Sequence, residues 1–253
     1  MVITAKGVKT HYQQIGSSQQ VIVLLHGWGC DWQIWAPLIP ELSKKFQLVI
    51  PDLPAFGHSD TPTEVWDSHG YVEWLREFIA AAVGQEKFSL VGHSFGGKVA
   101  ALLAAEEEKK HSGLSKMVII DASGLPVDLT PKEQVVHTLS QLLPAFIKRQ
   151  MSKKMKTSLL QKTGVAVDYQ QANEYQQAVL KRIVRENISQ TLKKIKVPTL
   201  VIWGANDQAT PLTKGREFAA AIPGANLEIM THSGHYPFLD ETEKSINLLT
   251  TFL

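Results

Sequence analysis

The chain has 253 residues, of which 44% are hydrophobic and 20% are charged, and its formal net charge is +2. This composition is typical of a globular protein with a sizeable core, and no apolar run approaches the ~20 residues that a membrane-spanning helix needs. A single cysteine, Cys30, excludes an intramolecular disulfide.

The N-terminal segment, residues 1–7, has no basic region followed by a long apolar run, so we predict no signal peptide. Together with the lone cysteine, this favours a cytoplasmic protein that does not contact a membrane. The charge is uneven, because residues 125–195 carry 12 Lys and Arg against 5 Asp and Glu. A charge shift of this size indicates a region with its own surface requirements.

The chain alternates short β-branched runs with longer helical patterns, which predicts βαβ units and a parallel sheet. The predicted strands are Val2–Ala5, Val8–Ile15, Val21–Leu25, Phe46–Ile50, Phe88–Val91, Met117–Ile120, Thr199–Trp203 and Asn226–Met230. The predicted helices are Ile34–Ser43, Tyr71–Val83, Phe95–Lys109, Leu212–Ala221 and Glu241–Leu253. We expect the Thr210 side chain to cap the fourth of these helices, with Pro211 at its first position.

The regular alternation stops after Asp121. From about Leu125 to Lys194 the sequence has helical segments broken by proline and glycine but no convincing strand. A connection of about 70 residues between two strands of one sheet is too long for an ordinary loop. We therefore predict a helical cap at residues 125–194, inserted between strands six and seven of a core formed by residues 1–124 and 195–253.

The strongest functional motif follows the fifth predicted strand and opens a helix rich in alanine. It reads Gly92-His93-Ser94-Phe95-Gly96-Gly97. A G-x-S-x-G sequence in this context is typical of a nucleophile elbow, in which glycines permit close backbone approach and the serine adopts a strained conformation. We predict that Ser94 is a nucleophile; the alternative is a strand-to-helix turn without chemistry.

A serine hydroxyl needs an adjacent base, and nine histidines are available. His235 lies in a loop after the last predicted strand, at the edge where the carboxyl ends of parallel strands gather. Its position also fits the chain order serine, acid, histidine. The alternatives are a solvated loop histidine and a metal pair with His232, for which no third ligand is apparent.

Asp207 follows the seventh predicted strand and is the expected acid, which would hold the imidazole in the correct tautomer. It could instead cap the helix that begins near Pro211, but Thr210 is better placed to do so. Asp121, at the end of the sixth strand, is the rival acid because it also lies at a carboxyl end.

A glycine-rich segment after the third strand is the expected second part of an oxyanion hole. It reads Leu25-His26-Gly27-Trp28-Gly29. One amide should come from Phe95, the residue after the nucleophile, and the other from Trp28. A plain glycine-rich turn is the alternative.

With these motifs and the segment Asp52-Leu53-Pro54-Ala55-Phe56-Gly57-His58-Ser59, the chain resembles the α/β-hydrolase fold family from about residue 2 to residue 253. The resemblance is to its serine branch with a helical cap, and it implies an α/β fold with an eight-stranded, mostly parallel sheet and helices on both faces. It assigns Ser94, Asp207 and His235 to the triad, and the amides of Trp28 and Phe95 to the oxyanion hole.

Three features place this chain within the family it resembles. Ala55 stands where relatives commonly have glycine, in a structural turn. The His-Gly-Trp-Gly segment differs from the glycine run of many lipases, which argues against a true lipase. Serine at position 94 argues against dehalogenases and epoxide hydrolases, which have aspartate there.

We therefore predict a carboxylesterase-like serine hydrolase that cleaves esters of small or medium substrates through an acyl-enzyme at Ser94. The same triad also supports thioester hydrolysis and carbon–carbon bond hydrolysis, and some relatives are ligand-binding receptors that retain a slow triad. No Walker loop or dinucleotide fingerprint is present, so we expect no cofactor and no metal. The oligomeric state stays open.

The basic run from Lys148 to Lys156 has two interpretations. Such a run is usually a solvated face, but it could also steer anionic substrates towards the pocket. We expect no nucleic-acid partner, because no aromatic platform or known binding motif accompanies the run.

Overall fold

The computed structural model describes residues 1–106, 113–126 and 172–253. Its strands are β1 (Val2–Ala5), β2 (Val8–Ile15), β3 (Val21–Leu25), β4 (Gln47–Pro51), β5 (Phe88–His93), β6 (Leu114–Ile120), β7 (Thr199–Gly204) and β8 (Asn226–Met230). Its helices are α1 (Ile39–Leu42), α2 (Ser68–Ala82), α3 (Phe95–Glu106), α4 (Glu174–Ile183), α5 (Ser189–Leu192), α6 (Leu212–Ala221), α7 (Pro237–Asp240) and α8 (Thr242–Phe252).

All eight strands form one sheet in the order β1-β2-β4-β3-β5-β6-β7-β8. β2 is antiparallel to β1 and to β4, and every other neighbouring pair is parallel. The predicted eight-stranded, mostly parallel sheet is therefore confirmed. The carboxyl ends of the parallel strands lie at one edge of the sheet, which is where open α/β sheets bind ligands.

The sheet is covered on both faces because its central strands are apolar on both sides. In β3, Val23 packs into the core on one face, and Ile22 and Leu24 pack into the core on the other. Helices α2, α3 and α6 contribute to the first core, whereas α1, α7 and α8 contribute to the second. This two-sided covering confirms the predicted layer arrangement.

The predicted helix Ile34–Ser43 is wrong in its extent. The structure has a 3₁₀ turn at Trp32–Trp35 and then the single-turn helix α1. Pro37 and Pro40 explain the break, because proline has no backbone N–H to donate within a helix.

The first residues of helices α2 and α6 also differ from the sequence predictions. Helix α2 begins at Ser68, three residues earlier than predicted, because the Asp67 side chain caps it by accepting a hydrogen bond from Gly70 N. Thr210 does not cap α6, whose N-cap residue is Pro211 with no side-chain cap. The Thr210 hydroxyl instead donates to Asp207.

The described end of the predicted cap is helical, with α4 and α5 between residues 172 and 194. Most of the predicted cap, including the basic run from Lys148 to Lys156, lies outside the described residues. In the described ranges, no helix has the length and apolar character needed to cross a bilayer.

Candidate active site

Ser94 occupies the sharp turn between β5 and α3, and its φ angle is 51°. This left-handed conformation costs a non-glycine residue roughly 1–2 kcal/mol. Hydrogen bonds hold it in place, since Ser94 N donates to Ile120 O at 2.9 Å and Ser94 O accepts from Lys98 N at 3.1 Å. The predicted strained elbow is therefore present.

Two glycines allow the elbow to approach its neighbours. A Cβ on Gly92 would lie 2.5 Å from Gly96 O, and one on Gly96 would lie 2.5 Å from both Leu25 O and His26 O. Real Cβ atoms do not approach this closely, so the turn of the elbow requires glycine at position 92, and its contact with the loop after β3 requires glycine at position 96.

The loop after β3 places Trp28 near the elbow. A Cβ on the preceding Gly27 would lie 3.1 Å from Ser94 Cβ, and the rings of Trp28 and Phe95 are 5.7 Å apart. Among the described residues, neither Trp28 N nor Phe95 N donates a hydrogen bond. Two free backbone donors are thus carried by segments that meet at Ser94.

His26 fixes the loop that carries Trp28. Its Nδ1 donates to Gly27 O at 2.8 Å, and its Nε2 accepts from Leu53 N at 2.9 Å. Burial lowers the pKa of His26, although the hydrogen bond to Gly27 acts to raise it. A neutral ring with one fixed tautomer therefore joins the loops that follow β3 and β4.

The segment after β4 has a structural role around the buried carboxylate of Asp52. That carboxylate accepts from Trp32 N at 2.8 Å, from His58 N at 2.9 Å and from His11 Nδ1 at 2.8 Å. Ala55, in the same segment, has a φ angle of 72°, a conformation that glycine adopts without strain. The alanine found in place of the family's glycine is thus strained.

His235 is paired with Asp207. Its Nδ1 donates to Asp207 Oδ2 at 2.8 Å, so the opposite ring nitrogen, Nε2, is left as the acceptor. The same carboxylate accepts from Thr210 Oγ1 at 2.6 Å, from Ala209 N at 2.7 Å and from Thr210 N at 3.0 Å. Burial would raise the pKa of Asp207, but the bonds from His235 and Thr210 outweigh it and lower the pKa overall.

His93 anchors His235 beside the elbow. His93 Nε2 donates to His235 O at 2.8 Å, and the two rings are 4.9 Å apart. Burial, followed by the charge of His235, lowers the pKa of His93 to about 3. A neutral residue adjacent to Ser94 therefore fixes the backbone of His235, a role that the sequence reasoning missed.

The loops that carry Asp207 and His235 are tied together. Asn206 N donates to Ser233 O at 2.9 Å, and Gly204 lies so close that its Cβ would be 2.0 Å from Gly234 O. Gly234 N in turn donates to the Asp240 carboxylate at 2.8 Å. The separation of Asp207 and His235 thus depends on backbone contacts between the segments that follow β7 and β8.

Asp121, the rival acid, is not the partner of His235. It is fully buried at the end of β6 with a φ angle of 42°, and its Oδ1 accepts from Gly204 N at 3.0 Å. Burial, followed by the charge of Asp207, raises its pKa to about 10. The structure thus separates two aspartates that the sequence left as alternatives.

A buried ion pair connects the helix behind Ser94 to the returning end of the insertion. Lys98 Nζ lies 2.5 Å from Glu186 Oε2 and donates to Ile183 O at 2.7 Å. Glu186 also accepts from the backbone and the hydroxyl of Ser68. Burial lowers the pKa of Lys98, although the hydrogen bond and the charge of Glu186 act to raise it. No sequence motif indicates this contact, which joins segments far apart in the chain.

The metal-pair alternative for His232 and His235 gains no support from the described part of the chain. No group of three or more His, Cys, Asp or Glu side chains is placed there to hold a metal ion. His232 is exposed, and its backbone N donates to Glu241 Oε1 at 2.9 Å.

The profile of the Alpha/beta hydrolase family matches residues 22–245. The chain therefore belongs to this family and is a hydrolase. A pimeloyl-[acyl-carrier protein] methyl ester esterase from Legionella pneumophila (strain Paris) is 28% identical over 241 residues, which cover 92% of this chain and 94% of the relative.

Solved structures support the same fold. An esterase from Exiguobacterium antarcticum has a TM-score of 0.77 at 24% identity, covering 99% of this chain and 98% of that one. A meta-cleavage product hydrolase from Pseudomonas fluorescens has a TM-score of 0.73 at 24% identity, covering 100% and 96%. Proteins described as hydrolases of different substrates thus share this architecture.

Proposed function

We propose that the protein is a serine esterase that cleaves carboxylic esters through an acyl-enzyme at Ser94. The observation that carries this proposal is the His235–Asp207 pair, held by His93 beside a serine in a strained elbow. Because Nδ1 of His235 donates to Asp207, its Nε2 is the nitrogen that can accept the Ser94 proton.

The reaction then proceeds in two halves. Ser94 Oγ attacks the ester carbonyl carbon while His235 accepts its proton, and the amides of Trp28 and Phe95 stabilise the resulting oxyanion. His235 returns that proton to the leaving alcohol, which gives the acyl-enzyme. Water, activated by His235, attacks the acyl carbon, and the carboxylic acid leaves Ser94 with its proton restored. Each oxyanion donor contributes roughly 3–4 kcal/mol to such a barrier.

Ester cleavage is favoured over the other reactions of this triad by the curated relative, which is an ester hydrolase and matches over nearly the whole chain. Thioesters and carbon–carbon bonds adjacent to a carbonyl are the competing substrates, and a slow receptor is the competing class. Turnover of a graded series of p-nitrophenyl esters separates the enzyme from the receptor, which would be acylated once or very slowly.

The predicted cap, residues 125–194, remains part of the proposal. Its described end is fastened to the core, since Gln176 Nε2 donates to Ala55 O at 2.7 Å and Arg182 Nη1 donates to Val65 O at 2.6 Å. These contacts support an insertion seated over the loops that follow β4. We expect changes in it to alter substrate selectivity more than the chemical step.

The test of the nucleophile is a fluorophosphonate probe combined with Ser94→Ala. We expect a single adduct on Ser94 by mass spectrometry, and a fall in esterase kcat of about 10⁶-fold in the variant. Ser123→Ala is the matched control, because it keeps the backbone N–H that bonds Ser94 O at 3.2 Å. An adduct on another residue, or a fully active Ser94→Ala variant, would contradict the proposal.

A further inference from the structure

Asp121 is a buried carboxyl group that the proposed reaction does not use. It lies at the end of β6, next to the strand that leads to Asp207, and no part of it is exposed. Within the described structure its Oδ1 has one donor, Gly204 N, whereas its buried Oδ2 has none. Burying an ionised carboxylate oxygen without a hydrogen-bond donor costs free energy. The environment of Asp121 Oδ2 therefore requires an explanation.

A second carboxyl group, that of Asp207, acts on Asp121. After burial, the negative charge of Asp207 is the largest cause that raises the pKa of Asp121. The Thr210 hydroxyl lies between them, 2.6 Å from Asp207 Oδ2 and 3.2 Å from Asp121 O. Two buried carboxylates on either side of one hydroxyl repel each other if both are ionised, which favours a proton on one of them.

The donor count decides which of the two carries it. Asp207 accepts four hydrogen bonds, one of them from His235, and each stabilises its anion. Asp121 accepts one, and the ionisable groups whose charge acts on it, Asp207 and Asp240, are both acidic. Asp121 Oδ2 accepts no hydrogen bond from the described residues. When it carries a proton, it becomes a hydrogen-bond donor.

We propose that Asp121 is a neutral carboxylic acid that donates a hydrogen bond from Oδ2 to the Asp207 carboxylate, and that it is a positioning residue for the Asp207–His235 pair. Only the role of Asp121 in catalysis rests on the proposed function; its protonation does not. The two aspartates then carry one negative charge between them, so His235 faces a single anion. A second anion would hold the proton on His235 more strongly and keep it from acting as a base at neutral pH.

Asp121→Asn and Asp121→Gly form the matched pair of variants. Asparagine keeps an oxygen for Gly204 N and an N–H donor for Asp207, and it tolerates a φ angle of 42° better than most residues. Glycine tolerates the same backbone but removes both hydrogen-bonding groups. Any difference between the variants therefore reports the side chain and not backbone strain.

The kinetic readout is the pH profile of kcat/KM with a p-nitrophenyl ester. In Asp121→Asn we expect kcat/KM within about threefold of wild type and an unchanged midpoint of the acid limb, because a neutral donor replaces a neutral donor. In Asp121→Gly we expect kcat to fall by about 10- to 100-fold with KM little changed. If Asp121 is ionised in the wild type, Asp121→Asn instead lowers the acid-limb midpoint by roughly 1–3 units, and the inference is overturned.

The second readout is infrared spectroscopy of the free protein labelled with ¹³C-aspartate at neutral pH. We expect a carbonyl stretch from a protonated aspartic acid in the wild type and its loss in Asp121→Asn. This measurement needs no turnover, so it decides the protonation of Asp121 even if no ester is cleaved. Absence of the band from the wild type overturns the inference while leaving the esterase proposal intact, and the wild-type spectrum alone suffices if a variant fails to fold.

Discussion

The ends of β6 and β7 present two aspartates at the same edge of the sheet, yet the two carboxyl groups have opposite character. Asp207 accepts four hydrogen bonds, and its pKa is lowered despite burial. Asp121 accepts one, and burial raises its pKa to about 10. Strand order alone makes them equivalent, so the difference comes from the donors around each group.

The geometry of the loop after the strand, and not the position in the sheet, therefore sets the hydrogen-bond environment of each aspartate. The loop after β7 turns back on itself, so that the backbone of Ala209 and Thr210 and the Thr210 hydroxyl all point at Asp207. Asp121 sits in a left-handed conformation, and among the described residues only Gly204 N donates to its carboxyl group. The first environment stabilises an anion and the second a neutral acid.

Matched asparagine substitutions separate the two aspartates directly. Asp207→Asn should lower the kcat for ester hydrolysis by about three to four orders of magnitude, because the amide favours the wrong tautomer of His235. Asp121→Asn is the matched change at the other strand end and should cost far less. Steady-state kinetics on one ester measures both, and a reversal of the two effects would move the acid to Asp121.

A smaller effect tests the contribution of the Thr210 hydroxyl, which contacts both residues. Thr210→Val removes a donor to a charged acceptor, worth roughly 1.5–3 kcal/mol, so we expect kcat/KM to fall about 10-fold or more. Thr210→Ser keeps the hydroxyl and should stay near wild type. Equal activity of the serine and valine variants would show that backbone donors alone define Asp207.

A smaller effect is on thermal stability. Its pH dependence has opposite signs for variants of Asp121 and of Asp207. Because the pKa of Asp121 in the folded protein, about 10, lies above its ordinary value of 3.8, the folded state binds the extra proton between these values. The stability of the wild type that depends on Asp121 is therefore complete below the ordinary pKa and declines as the pH rises towards 10. Asp121→Asn removes this decline, so we expect its Tm to rise relative to wild type between about pH 4 and pH 8.

Asp207→Asn is the control for that measurement. The pKa of Asp207 is lowered in the folded protein, so its contribution is present above the ordinary pKa and is lost as the pH falls through the lowered one. Differential scanning calorimetry should therefore show this variant losing Tm relative to wild type from acid to neutral pH. Parallel curves for the two variants would contradict the assignment of opposite protonation states.

Much of the fold could be predicted from the chain because strand and helix periods are local properties of the sequence. The strands β1, β2, β3 and β8 have the predicted bounds, and each remaining strand begins or ends within three residues of its prediction. The predictions were wrong where two local sequence signals favour different structures. Two prolines divided one predicted helix, and Thr210 bonded to a side chain instead of capping α6.

The sequence predicted a candidate nucleophile, base and acid, because each lies in a short motif directly after a strand, and parallel strands gather their carboxyl ends at one edge. It favoured Asp207 over Asp121 by position, but it could not show the hydrogen-bond environment of either aspartate, nor that His93 holds His235 or that Lys98 pairs with Glu186. Those features depend on burial and on contacts between residues far apart in the chain, such as His235 with Asp207 and Gly204 with Asp121. Such contacts form only in the folded protein, and they influence the charge of each group.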